Sequence, residues 1–153
     1  MIDALGAFDA EKEMVNIVDH NKQKVLDLQR EQMMEGRGID GQFIRPFYSE
    51  NPYFKTMEQS QAYARWKQKI TPNSKRPLDV PNLFINGRFH DSLFVEVGGN
   101  EFDIDATDYD ATDIMSVHKN AIGLNDASRL EFAEKITIPE FGKVLKEKTG
   151  IDI

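Results

Sequence analysis

The sequence predicts an α+β fold: a long N-terminal helix, a small antiparallel sheet in the middle and helices toward the C-terminal side. Three observations predict it. Apolar residues recur at helical spacing over 9–35, alternation starts at Phe89, interrupted by Asp91, and becomes clean in EFDIDATD, and helix start and stop signals return after 109. The 153 residues suffice for one domain of ordinary size. With 40% hydrophobic and 29% charged residues, the chain has globular composition.

Residues 9–35 read as one continuous helix. Asp9 suits its N-cap, and Glu11 and Glu13 suit the positive end of the helix dipole. Met14, Ile17, Val18, Val25 and Leu28 form the apolar stripe, with Asn21 and Gln32 as polar interruptions, and Gly36 and Gly38 stop it. At 1.5 Å per residue such a helix spans roughly 40 Å. It packs across a sheet or serves as an arm against a neighbouring subunit.

Residues 39–56 crowd Phe43, Phe47, Tyr48, Tyr53 and Phe54 around Pro46 and Pro52. Prolines forbid a continuous helix here. Two readings stand side by side: aromatics tucked into the domain's own core, or an interface loop, since aromatics and Arg dominate binding hot spots. A second helix is expected over 57–70, with Met57, Ala62, Tyr63, Trp66 and Ile70 as a core face. The proline-rich 71–82 segment contains Leu78 and Val80 and reads as an ordered crossing.

In the stretch LFINGRFHDSLFVEV, Asn86-Gly87 is a type I′ turn signal between strands. Phe89, Leu93, Val95 and Val97 then share one face and Phe94 takes the other. A second turn at Gly98-Gly99-Asn100 leads to a half-buried strand with Phe102, Ile104 and Ala106 inward and Asp103 and Asp105 outward. Short helices follow over 109–120, from Asn125 or Asp126 through Phe132, and over 139–149. The last has Pro139 at its first position, Phe141, Val144 and Leu145 as its apolar face, and Gly150 beyond its end.

The formal net charge of −7 makes free nucleic acid a poor partner for the surface as a whole. An acidic surface can still let DNA slide past without sticking. The absence of cysteine removes disulfides, thiolate nucleophiles and cysteine–zinc sites. No apolar run reaches membrane-spanning length, and the acidic MIDALGAFDAEKE segment is unlike a signal peptide, so a cytoplasmic product is expected.

No motif points to catalysis, to a cofactor or to a resident metal. His20, His90 and His118 lie far apart, and on a strand His90 and Asp91 could not both serve Ser92. Asp103, Asp105, Asp108, Asp110 and Asp113 lack the glycine and glutamate of a calcium loop, and read as a solvated strand face running into an acidic helix start. No phosphate-binding loop follows Gly36-Arg37-Gly38.

From Pro81 onward the chain resembles the small tail-completion and head–tail connector proteins of tailed bacteriophages. Many of these carry Leu-x-x-(Thr/Ser)-Gly-x-Leu-x-x-Ser-(Ile/Leu) before two strands and a helical end. Leu83, Asn86, Gly87, Phe89, Ser92 and Leu93 stand in those places, with Asn86 for the usual hydroxyl and Phe89 for the usual aliphatic residue. Tyr109-Asp110-Ala111, His118 and Gly123 give a looser echo of the remainder. The resemblance covers about half the chain. It implies a structural virion protein of the neck or tail region that forms a homo-oligomeric ring, assembles in the host cytoplasm and docks between portal-side and tail-side proteins. Phe43, Phe47, Tyr48, Tyr53 and Phe54 would then anchor a neighbour, while Asp103 and Asp105 would line a lumen through which DNA passes. The rival expectations are an adaptor that binds one protein partner without forming a ring, and a hydrolase with dispersed carboxylates.

Overall fold

The computed structural model describes residues 9–99 and 101–151. Residues 1–8 of the acidic N-terminal segment, and Asn100 of the expected second turn, lie outside them.

Asp9 caps the first helix, its carboxylate accepting the Lys12 amide at 3.1 Å. The helix expected to run unbroken from 9 to 35 is two helices: α1 over Ala10–His20 and α2 over Lys22–Met34. The break is at Asn21, whose φ of −124° and ψ of 28° are not helical. Its side chain donates to the Ile17 carbonyl at 2.8 Å and to Glu140 at 2.9 Å. An Asn that satisfies local backbone with its own amide competes with helix continuation, and the bond to a distant carboxylate holds the break in place. Met14, expected on the buried stripe, is exposed, while Ile17 and Val25 are buried as expected.

A turn of 3-10 helix at Tyr48–Glu50 leads to α3 over Met57–Ile70. Thr56 caps α3 by accepting the Gln59 amide at 3.1 Å. The crossing over 71–82 is ordered, with Thr71, Arg76, Val80 and Asn82 buried.

Gly87 adopts a φ of +85°, as the turn signal requires, but the expected strand-to-strand turn is not there. Gly87 instead precedes a single helical turn, α4, over Arg88–Asp91. Phe89 is therefore buried from a helix rather than from a strand. The hairpin lies one turn later. Strand β1, Leu93–Gly98, pairs antiparallel with β2, Glu101–Ala106, with Leu93 opposite Ala106 and Gly98 opposite Glu101. Leu93 and Val95 are buried and Phe94 faces out. Phe102, Ile104 and Ala106 are half-buried, and Asp103 and Asp105 are exposed, all as the alternation predicts.

Three further helical segments close the chain: α5 over Ala111–Val117, α6 over Asp126–Phe132 and, after a π-helical stretch at Ala133–Thr137, α7 over Ile138–Thr149. Asn125 caps α6 by accepting the Ser128 amide at 2.9 Å, and Gly150 ends α7 in the left-handed region. The core gathers Val25, Leu26 and Met33 of α2 against Ile44, Phe89, Leu93, Val95, Leu124 and Phe132. The α+β class stands, as helices around a two-stranded antiparallel sheet. No helix among the described residues is long and apolar enough to cross a membrane.

Candidate functional site

The faces of α3 are reversed from the sequence expectation. Ser60, Ala64 and Lys67, spaced by four and three, point inward. Met57 (56% exposed), Trp66 (43%) and Ile70 (40%) face outward. Ser60 donates within the helix to the Met57 carbonyl at 2.8 Å, and the crossing over 71–82 is tied to this part of α3 through Thr71, whose Oγ1 donates to the Lys67 carbonyl at 3.1 Å. Arg76, itself buried, donates from Nη1 to the Val80 carbonyl at 2.7 Å and from Nη2 to the Thr71 carbonyl at 3.0 Å and the Gln68 Oε1 at 3.2 Å. Asn82 donates to Thr71 Oγ1 at 2.9 Å.

The aromatic loop splits in two. Tyr48, Tyr53 and Phe54 join Tyr63 and Trp66 of α3 in a run of rings: Tyr53–Phe54 at 5.2 Å between centroids, Phe54–Tyr63 at 5.1 Å, Tyr63–Trp66 at 5.4 Å, with Tyr48 edge-on to Tyr63 at 5.1 Å. Tyr48 is buried and Tyr53 is 79% exposed, so the run passes from core to surface. Phe43 and Phe47 take no part in it. Each lies under its own guanidinium, Arg37 over Phe43 at 3.8 Å and Arg45 over Phe47 at 4.7 Å.

Beside this run opens a cleft of about 580 Å³. Tyr48, Tyr63, Phe84 and Phe89 supply apolar wall, and Lys67 and His118 also line it. Of the connector-like motif, Leu83, Asn86 and Phe89 reach the cleft, while Ser92 and Leu93 do not. Asp108, Asp110 and Asp113 stand among the lining residues. Asp108, expected on a solvated face, has its side chain nearly sealed from solvent and pairs with Arg88 Nε at 2.7 Å. Asp110 receives Arg88 Nη2 at 2.8 Å. Arg88 also covers the Tyr109 ring at 4.1 Å.

Lys67 is 1% exposed, and its Nζ has no hydrogen-bond partner. Burial, and then the Arg76 charge, pushes its pKa down to about 8. Burial raises the Tyr48 and Tyr63 phenols and lowers the His90 and His118 imidazoles. His90 Nε2 donates to the Asn82 carbonyl at 2.8 Å, and Ser92 Oγ donates to the Phe89 carbonyl at 2.8 Å. The His90–Asp91–Ser92 run is thus no triad, and because α4 is helical the reason differs from strand alternation. The chemistry this arrangement offers is recognition: a buried cationic donor behind aromatic walls.

Asp103 and Asp105 lie away from the cleft on β2, and Asp103 sits opposite Glu96 of β1. No group of three or more His, Cys, Asp or Glu among the described residues could hold a metal ion. Lys67 escaped sequence reasoning because its stripe, Ser60, Ala64, Lys67 and Thr71, carries no apolar signal. The one visible hint was the Lys75-Arg76 doublet close to aromatics. Comparisons with protein-family models, with curated proteins and with solved structures give no match to this chain.

Proposed function

We propose that this protein is a structural virion protein of a tailed phage, a ring subunit of the head–tail connector or neck, or one that completes the tail. The observation that carries the reading is the run of rings from Tyr53 through Phe54 and Tyr63 to Trp66, which ends in exposed Tyr53 and Trp66, with exposed Ile70 one turn beyond Trp66. Aromatic rings supply much of the energy in protein–protein hot spots. A closed ring uses two different surfaces on each subunit. Leu130 on α6 and Ile138 on α7, both exposed, offer apolar area on separate elements.

The resemblance over Leu83–Leu93 adds support, with Gly87 now setting the entry to α4 rather than a hairpin. Asp103 and Asp105, with Glu96 opposite Asp103, give the hairpin an acidic face suited to a lumen that repels DNA phosphates. On this reading the partners are further copies of the chain and the portal-side and tail-side proteins. The protein acts without catalysis or cofactor, and it resides in the virion after assembly in the host cytoplasm. Gold-labelled antibodies on purified particles test it. Label at the head–tail junction is the expected result. Unlabelled particles from a lysate rich in the protein sink it and favour an adaptor that binds a single partner.

A further inference from the structure

Lys67 lines the cleft, and Arg76, outside the lining, lies close enough for its charge to act on Lys67. Lys67 is 1% exposed and Arg76 3%. Among the described residues, the buried side-chain nitrogens and oxygens without a hydrogen-bond partner are Lys67 Nζ and Arg76 Nε. Both belong to cations, and the Arg76 charge acts on Lys67. Arg76 spends its remaining donors on the carbonyls of Val80 and Thr71 and on the Gln68 amide, none of them anionic. A buried ammonium is strongly disfavoured unless a negative group accepts from it.

The walls decide what kind of anion fits. Tyr48, Tyr63, Phe84 and Phe89 present ring surface, so the ligand carries an apolar body. The acidic residues of the lining do not bar entry. Asp108 and Asp110 are held by Arg88 at 2.7 and 2.8 Å, and Asp113 stands beside them in the lining. A compact dianion such as phosphate finds too few donors against these walls.

We propose that the cleft is a binding site for a small monocarboxylate with an aromatic body, whose carboxylate accepts from Lys67 Nζ and whose ring lies among Tyr48, Tyr63, Phe84 and Phe89. The site does not depend on whether the protein forms a ring.

Calorimetric titration of the full chain tests it with 3-phenylpropionate, the neutral 3-phenylpropan-1-ol and inorganic phosphate. The acid binds at least about tenfold tighter than the alcohol, as expected for a charge-assisted bond in a dry site. Phosphate binds more weakly than the acid. Lys67→Met, which keeps the length of the side chain, binds acid and alcohol alike. Equal affinities for acid and alcohol in the unaltered protein overturn the proposal. So does acid binding that survives Lys67→Met, no binding at millimolar acid, or phosphate binding as tight as the acid. A readout that needs no variant is the NMR titration of the Lys67 side chain. Its midpoint rises with the acid present and stays put with the alcohol; a midpoint indifferent to both also overturns the site.

Discussion

Gln29 Oε1 accepts the backbone N–H of Gly123 at 2.7 Å, across 94 positions of sequence. Gln29 Nε2 donates to the Ala121 carbonyl at 3.2 Å. One turn along α2, Gln32 repeats the pattern, donating to the Gly123 carbonyl at 2.7 Å and accepting the Asn125 amide at 2.9 Å. Two side-chain amides thus do for residues 121–125 what a neighbouring strand does in a sheet. Gln29→Leu leaves a buried N–H and C=O unpaired, each costing about 1–3 kcal/mol. A loss of about 2–4 kcal/mol in urea unfolding is expected, and a change below about 0.5 kcal/mol would show that the clamp is replaceable.

Lys67→Met removes a buried, unpartnered cation, so it raises stability at pH 7 by about 1–3 kcal/mol. The gap closes with pH. The folded pKa of Lys67 is depressed to about 8 from 10.5, so between those values the unfolded chain holds the extra proton and the stability of the unaltered protein rises with pH. The full effect is on the order of 3 kcal/mol. Tyr48 and Tyr63, whose phenols are raised, pull the other way above pH 10, but do so in both proteins. The difference between variant and parent isolates Lys67. A difference that stays constant from pH 7 to 10 contradicts the buried charge.

Trp66→Ala removes an outward ring that rests on Tyr63. Monomer stability falls by about 1 kcal/mol or less, as for most surface changes. Self-association, followed by light scattering, weakens by about tenfold or more if this face anchors a neighbour. Unchanged association locates the contact elsewhere.

Gly87→Ala forces a side chain into the left-handed region at φ +85° and sets its Cβ 3.2 Å from the Phe84 ring. About 1–2 kcal/mol is lost, and Gly87→Val costs more because a β-branched residue tolerates that region least. Thermal melts of the pair, ordered Gly, Ala, Val, check this.

Asp103→Lys replaces a like-charge pair with Glu96 across the hairpin by an opposite-charge one. Stability rises by about 0.2–1 kcal/mol, less in high salt. If this face lines a DNA passage, particles carrying the variant also eject DNA more slowly, and unaltered ejection removes the hairpin from the lumen.

Much of the helical frame was legible because its signals are local. Asn125 before α6, Gly150 after α7 and the bounds of α3 stand where cap chemistry puts them, whereas Pro139, expected to open a separate helix, is the second residue of α7 in a helical run unbroken from Asp126. The alternation of Phe102, Ile104 and Ala106 against Asp103 and Asp105 was equally local. The break at Asn21 was not, because half of what holds it is Glu140, 119 residues away. Asn86-Gly87 announced a positive φ correctly, but that geometry opens a helical turn as readily as it closes a hairpin. Periodicity showed that α3 has two faces without saying which one meets the protein. Burial of Lys67 depends on the crossing over 71–82, so no window around 67 could reveal it.

Helix α1 and the residue that ends it meet α7. Asn21 bonds Glu140, and Lys148 pairs with Glu13. Helix α1 therefore gains these contacts only once residues 140–148, more than a hundred positions later, have been made. Such long-range closure slows folding and leaves early surfaces uncovered during synthesis. Among the described helices, α1 is accordingly the one whose surface stays uncovered across the longest stretch of synthesis.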